Sequence, residues 1–418
     1  MRVIVVGAGI VGVTSAYELA ALGHEVCVFE RRGAVAAECS FANAGVIAAG
    51  YVAPWAAPGM PTKVLRQMLG RDAAVRLDGL AALTHLSWIF RWWLACRPRM
   101  YAAHRAALIG LAQYSRARLL ELTRRLALDY EQQPGLLVLL RGAHELHMAQ
   151  PALRLLREQG VAHELVDAAR CRRIEPALRA DAALAAGIHL AHDGLGNCRQ
   201  FAHLIKAEAQ RLGTTFHFER DVLAVEPGAP VAVRSADGRR HEADAVLICA
   251  GVQANRLLAP HGAKLPLAAV HGYSITAPLA QRDDEPAAGP RAALMDERYK
   301  IAITRLGRRV RVAGGAELGG SAARMNAAPL ATLYKVLEDW FPGAAVVRDA
   351  QQWKGARPML PDGPPVLGAS GLAGVWLNLG HGSSGWLLAC GSARVLAELV
   401  SGRAAPIDLT SLDPARLR

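Results

Sequence analysis

A strand, a turn built on three glycines and a helix open the chain, and no other stretch constrains the fold as strongly. RVIVV, Arg2 to Val6, is an apolar β-branched run that reads as a buried strand. It enters Gly7-Ala8-Gly9-Ile10-Val11-Gly12, a G-x-G-x-x-G turn, and a helical pattern follows to Leu22. Gly23 closes that helix as a C-cap. HEVCVFE is then a second strand ending on Glu30, eighteen positions after Gly12 (30 − 12). Gly7 permits the sharp turn, Gly9 leaves no side chain between a pyrophosphate and the backbone, and Gly12 lets helix and strand pack closely. The helix N-terminus offers free N–H groups and a positive dipole end. Glu30 is placed to accept both hydroxyls of an adenosine ribose, and an acid there disfavours a 2′-phosphate. The unit therefore predicts a dinucleotide site for FAD or NAD rather than NADP.

The 418 residues are 52% hydrophobic and 20% charged, enough for two or three domains and a sizeable core. No uncharged apolar run reaches the roughly 18 residues of a spanning helix. Spaced glycines and the lack of a cleavage site argue against reading the N-terminus as a signal peptide. The seven cysteines are odd in number and form no C-x-x-C pair. They predict a reducing, cytoplasmic setting and no metal site. The net charge of +12 allows an anionic ligand or surface. Its arginines are dispersed without interleaved aromatics, which disfavours nucleic acid.

Helices are expected over about 62–130. Within this region THLSWIFRWWLACR carries three tryptophans and a phenylalanine beside arginines. It reads either as a buried helix or as an interfacial membrane helix. A strand is expected at 136–140, a helix at 151–159, a short strand near 163–166, and a strand at 187–190 before a turn in DGLGN. CRQFAHLIKAEAQRLG reads as a helix, TTFHFERDVLAVEP as a strand pair, and DAVLICAG as a buried strand ending at Gly251. Residues 265–315 alternate as antiparallel strands, and 328–341 is helical.

The C-terminal GVWLNLGHGSSGWLL repeats the opening logic: a strand from Val375 to Leu379, a small-residue turn, and a helix from Trp386. Gly380, His381, Gly382, Ser383, Ser384 and Gly385 form the mouth of that helix. A nicotinamide enzyme has no evident use for a second helix N-terminus. A reduced flavin carries negative charge that such a dipole stabilises, which favours FAD. His381 reads as a structural group or a proton carrier. Upstream, Arg357 lies between Gly355 and Pro358 in a stiff, turned segment, and its planar fork suits a carboxylate. SFANAGVIAAGYVAPWAAPG follows Glu30 as small-sided cofactor wall. Ser40, Asn43, Ala44 and Gly45 are expected against the cofactor, Asn43 offering an amide to a flavin edge, with Tyr51 and Trp55 toward the substrate side. Ile10, Val11, Arg31, Val222, Gly251 and Arg357 complete the expected cofactor contacts.

The opening motif, SFANAG…GYVAPWAAPG, YKIAITR, WKGARPMLPDGPPVLG and NLGHGSSGW together resemble the bacterial FAD-dependent D-amino acid dehydrogenases. These lie within the wider D-amino acid oxidase and glycine oxidase superfamily. The resemblance runs from Arg2 to about Gly402. It implies an α/β, two-domain architecture: a Rossmann-like FAD-binding domain interleaved with a substrate domain on a mainly antiparallel sheet. The expected boundaries are 1–75, 192–262 and 350–418 for the FAD-binding domain, and 76–191 and 263–349 for the substrate domain. It implies non-covalent FAD, a D-amino acid substrate deaminated to a 2-oxo acid and ammonia by hydride transfer from Cα, and electrons passed to a quinone or respiratory acceptor. A cytoplasmic location, peripheral on the inner membrane, goes with it. By the same resemblance Arg357 grips the substrate carboxylate, Tyr273 and Tyr299 close over the substrate, and Arg305 is a second cation nearby. Phe41, Val46 and Ala49 depart from the pattern, which keeps glycine, sarcosine or D-proline/hydroxyproline open as substrates and oxygen open as acceptor. A FAD-holding assembly subunit without turnover is the alternative from another class.

Overall fold

The structure is a computed structural model that describes residues 1–68, 75–77, 83–280, 289–321 and 323–417. Arg2–Val6 sits inside a six-stranded sheet, parallel to Glu25–Phe29 on one side and to Ala245–Ile248 on the other. Thr215–His217 extends one edge, and Val375–Leu379 then Val366–Ala369 extend the other. The strands are covered on both faces, which is why RVIVV and AVLI are continuous apolar runs. Val3 and Val5 pack under the helices Ile10–Ala21, Cys198–Arg211 and Gly385–Val400. Ile4 and Val6 pack toward a three-stranded antiparallel sheet, Val222–Glu226, Val231–Ser235 and Arg240–Ala243. Burying each such side chain contributes about 1.5–3 kcal/mol.

One polar contact ties the helical layer together. Glu18 is fully buried and accepts from Arg118 Nε at 2.7 Å and Nη2 at 2.8 Å, with Arg394 Nη1 at 3.4 Å. Arg118 lies on the long helix Pro98–Arg125, and Arg394 on the C-terminal helix.

The second sheet has ten strands. Gln351–Met359, Ala268–Pro278, Arg309–Leu318, Ile301–Leu306 and Ala293–Asp296 run in that order, followed by Gln133–Leu140, Ala186–Leu195 and Val46–Ile47. One face packs Tyr273, Ile275, Ile303 and Val312 against Leu330, Leu333 and Leu337 of the helix Ala327–Trp340. Alternation sends Thr276, Thr304 and Arg311 to the opposite face, toward the segment that follows Glu30.

Several local expectations change. TTFHFERDVLAVEP supplies two strands that never pair with each other: Thr215–His217 joins the parallel sheet and Val222–Glu226 the small one. The strand Ala186–Leu195 runs on through Asp193, where a turn was expected, because Gly194 pairs closely with Pro134 and Ile47. Val75–Leu77 is a strand beside Arg309–Leu318, within the region expected to be helical. The parts of that region at 69–74 and 78–82, and residues 281–288 of the antiparallel region, lie outside the described residues. Gln351–Met359 is an edge strand rather than a turn, since its antiparallel register with Ala268–Pro278 passes straight through Gly355 and Pro358.

Helix Leu86–Ala95 has one buried and one exposed side. Trp88 is buried and donates from Nε1 to the Met359 carbonyl at 3.1 Å, and Trp92 packs beside it. Leu86, Phe90 and Trp93 face outward at 58%, 58% and 51% exposure.

Candidate functional site

The glycine turn is built as its spacing requires. Gly7 has φ +101°, and a Cβ there would come within 2.8 Å of the Cys249 carbonyl. A Cβ on Gly12 would lie 1.9 Å from the Gly7 carbonyl. A Cβ on Gly9 would meet only Ser40 Oγ, at 3.6 Å, so the second glycine fronts open space at the helix mouth. Ile10 N donates to Ser40 Oγ at 3.1 Å, which places Ser40 at that mouth, while Val11 packs against the core beneath. Glu30 accepts from Ala8 N at 2.7 Å and Arg32 N at 2.8 Å, and burial raises its pKa above the ordinary value. Arg31 is bound to Glu38, so its charge is answered within the loop. The neighbouring strand stops at Ile248, short of the expected Gly251, which at φ +53° opens a 3-10 turn and where a Cβ would meet nothing within 4 Å. A donor-rich helix mouth, an acid at the strand tip and two bare backbone positions fit an adenine dinucleotide. Val222 is less suited: its side chain is in the core and its carbonyl accepts from Arg256 Nη2 at 2.8 Å.

The small-sided wall is anchored from outside. Asn43 Oδ1 accepts from Gly45 N at 2.9 Å and shapes the turn, with Gly45 at φ +76°. That bond occupies the amide oxygen and leaves Nδ2 as the part of the amide to offer to a flavin edge. The Asn43 carbonyl accepts from Arg311 Nη1 at 3.1 Å, and the Ala44 carbonyl from Thr304 Oγ1 at 3.0 Å.

At the C-terminal mouth, Gly380 and Gly382 have φ +81° and +55°, and Cβ atoms there would press into Leu360 and Met359. His381 is buried, shares a 3.0 Å hydrogen bond with Ser392 Oγ, and is held down to about pKa 3 by burial. Burial thus favours the neutral ring, held by Ser392. Ser384 N donates to the His381 carbonyl at 3.1 Å, Ser383 is exposed, and the sixteen-residue helix starts at Gly385.

His381 bridges to Met359, which joins this mouth to the strand carrying Arg357. Arg357 Nη1 donates to the Gly315 carbonyl at 2.7 Å, and its guanidinium lies over Gly272. Burial lowers its pKa, and the one group whose field opposes this is Cys39, the neighbour of Ser40. No carboxylate pairs with Arg357 among the described residues. The glycine mouth, the wall, the second helix mouth and an unanswered guanidinium thus lie along one continuous path.

Tyr273, Tyr299 and Arg305 do not join it. Tyr273 Oη donates to Glu317 Oε2 at 2.6 Å, Glu317 in turn accepts from Lys354 Nζ at 2.8 Å, and Tyr273 packs in the cluster under Ala327–Trp340. Tyr299 packs against that same cluster, with Arg141 and Lys335 over its ring. Arg305 lies on the same side as Ile301 and Ile303, and donates to the Gly307 carbonyl at 3.1 Å. Strand alternation accounts for this: Tyr273 and Lys354 are register partners, and Lys354 and Arg357 are three residues apart, on opposite faces. The residue missed is Arg311, hidden in GRRVRV. Its signal is the alternation in which Val310 and Val312 face the core and Arg311 faces the wall.

With this geometry in hand, the similarities to known proteins are informative. The family described as FAD dependent oxidoreductase matches residues 2–399. The chain is similar to a D-amino acid dehydrogenase of Cereibacter sphaeroides, at 45% identity over 99% of this chain and 94% of that protein. It is 41% identical to a D-amino acid dehydrogenase of Sinorhizobium medicae over the whole of both. Its fold is similar to that of glycine oxidase from Geobacillus kaustophilus, with TM-score 0.77, 21% identity and 99% coverage of each chain. It is also similar to that of iminodiacetate oxidase from Chelativorans sp. BNC1, with TM-score 0.72, 22% identity and 99% coverage of each. The α/β fold with its three sheets and the matched family agree with the cofactor path, and the chain belongs to the FAD-dependent oxidoreductases of the DAO family.

Proposed function

We propose that the protein is a D-amino acid dehydrogenase, deaminating D-amino acids oxidatively to 2-oxo acids and ammonia. The observation that carries this reading is Arg357, a guanidinium with no carboxylate partner among the described residues, lying beside the small-sided cofactor wall. An Arg left without an acid in a confined site is suited to a ligand carboxylate, which it holds bidentately. The names of the full-length relatives support the substrate class.

FAD, when bound, accepts the hydride that leaves the substrate Cα. The Gly7–Gly12 turn and Glu30 would hold its adenosine and pyrophosphate, the segment Ser40–Gly45 its isoalloxazine end, and the Gly380–Gly385 mouth its negatively charged edge. Arg357 fixes the substrate carboxylate, so a single face of Cα is presented, and this selects one enantiomer. The substrate amine reacts when neutral, so the rate rises as its ammonium deprotonates. His381 supplies no proton here, being neutral and bound to Ser392. The described residues of segments 1–75, 192–262 and 350–418 are assigned to the cofactor unit, with Val46–Ile47, Val75 and Gln351–Met359 lending strand residues to the other sheet.

Electrons pass onward to a quinone or similar respiratory acceptor. The outward face of Leu86–Ala95 supports this, since Leu86, Phe90 and Trp93 are exposed beside Arg91, Arg97 and Arg99, as in a helix that lies on an anionic membrane surface. No helix among the described residues is long and apolar enough to cross a membrane. The test is anaerobic mixing of the holoenzyme with matched D- and L-amino acids while the flavin absorbance is followed. Bleaching by D-isomers alone is expected. Bleaching by neither isomer would overturn the assignment.

A further inference from the structure

Thr276, Arg311 and Thr304 form a row across three adjacent strands, each paired in register with the next. All three direct their polar atoms to the face that meets the cofactor wall. Arg311 is only 6% exposed. Its Nε donates to Thr276 Oγ1 at 2.9 Å and its Nη1 to the Asn43 carbonyl at 3.1 Å. Thr304 Oγ1 holds the next carbonyl, that of Ala44. Thus two side chains of the second sheet grip consecutive peptides of the wall.

The charge of Arg311 is unusual in its surroundings. Glu131, whose field reaches it, is already taken by Arg309 at 2.9 Å and by Asn197 Nδ2 at 2.7 Å. Arg309 and Arg199 add repulsion, and Cys198 is a thiol. Both hydrogen bonds of Arg311 go to neutral oxygens. A buried cation without a counter-charge is costly. Such a group is retained where a ligand completes its surroundings, and a flavin that becomes negative on two-electron reduction is one such ligand.

We propose that Arg311 is a positioning residue for the flavin: it fixes the Asn43–Gly45 turn and favours the reduced cofactor by its unpaired charge. The inference rests on the reading that FAD lies along Ser40–Gly45. Its two parts separate experimentally, because Thr304 shares the grip but carries no charge.

The test is the flavin midpoint potential of the holoenzyme, measured by equilibration with reference dyes. Arg311→Gln, which keeps a donor and removes the charge, is expected to weaken the preference for reduced flavin at least tenfold, a fall of about 30 mV for a two-electron couple. Thr304→Val is expected to release FAD more readily at an unchanged potential. An unchanged potential in Arg311→Gln overturns the proposal. If that variant does not retain flavin, Arg311→Lys carries the test. A buried ammonium loses its proton more readily than the guanidinium it replaces, so the potential should step down at a lower pH than in the wild type, where burial already lowers the Arg311 pKa to about 10. A Lys variant without the step overturns the proposal equally. Gly9→Val distinguishes a failure at the level below. If it expels FAD while Arg311→Gln leaves the potential unmoved, the Arg311 inference alone fails. If Gly9→Val keeps FAD bound, the placement of the cofactor fails with it.

Discussion

The Arg357 guanidinium rests on the bare backbone of Gly272: a Cβ there would come within 2.3 Å of Nη2 and 2.5 Å of Cζ. The glycine is therefore a shelf for the guanidinium proposed to bind the substrate carboxylate. Gly272→Ala should displace the fork and raise the half-saturating concentration of a D-amino acid about tenfold, a loss of about 1.4 kcal/mol. FAD content, read by absorbance, should stay at the wild-type level. Unchanged saturation would show that the shelf does not set the position of Arg357.

Tyr273 tests the separation of the two sheet faces. Its hydroxyl donates to Glu317, which also takes Lys354 Nζ at 2.8 Å and Asn326 Nδ2 at 3.3 Å. Tyr273→Phe removes one bond from a buried carboxylate and should cost about 1–2 kcal/mol of stability, seen in denaturant unfolding. Substrate saturation should not move. A large rise in the half-saturating concentration would instead put Tyr273 in the substrate site.

Asp193 gives a pH signature. Burial raises its pKa from 3.8 to about 6, against the bonds it accepts from Gly50 N, at 3.2 Å to Oδ2, and from Ala49. The folded protein then holds this proton more tightly than the unfolded chain does. The resulting stability is full below about pH 4 and is lost as the pH rises through about 6. Asp193→Asn should gain about 3 kcal/mol on the wild type as the pH rises between those limits. Parallel stability profiles for the two proteins would contradict this.

The Glu18–Arg118 pair joins three helices away from the site. Arg118→Ala leaves a fully buried carboxylate without its bidentate partner. Breaking a buried pair in this way costs about 3–5 kcal/mol. A matching fall in unfolding free energy is expected, with Arg118→Lys recovering part of it.

Much of this architecture was legible in the residues, for local reasons. Gly7, Gly9, Gly12 and Glu30 lie within one strand–turn–helix–strand unit, where spacing alone fixes geometry. The C-terminal mouth was legible in the same way. Arg357 was legible as a planar fork suited to a carboxylate, yet Gly355 and Pro358 around it read as a turn and concealed an edge strand. An edge position tolerates that proline. The tyrosines were misplaced because choosing a face requires the register of non-local partners, and the pairing shifts between His271 and Tyr273. Asn43 was read by its chemistry, but its Oδ1 atom closes its own turn. Arg311 escaped notice because Arg308 and Arg309 beside it are ordinary exposed charges.

The central claim is that Arg357 holds the substrate carboxylate, and the most direct measurement is the concentration dependence of anaerobic flavin reduction in Arg357→Met. Losing a confined, hydrogen-bonded charge partner costs about 3 kcal/mol. The variant should therefore need about a hundredfold more D-amino acid for half-maximal reduction than the wild type. The corresponding D-amino amide, which lacks the carboxylate, should reduce both proteins at similar concentrations. Equal half-maximal concentrations of the D-amino acid in variant and wild type, with FAD fully bound in each, would contradict the account.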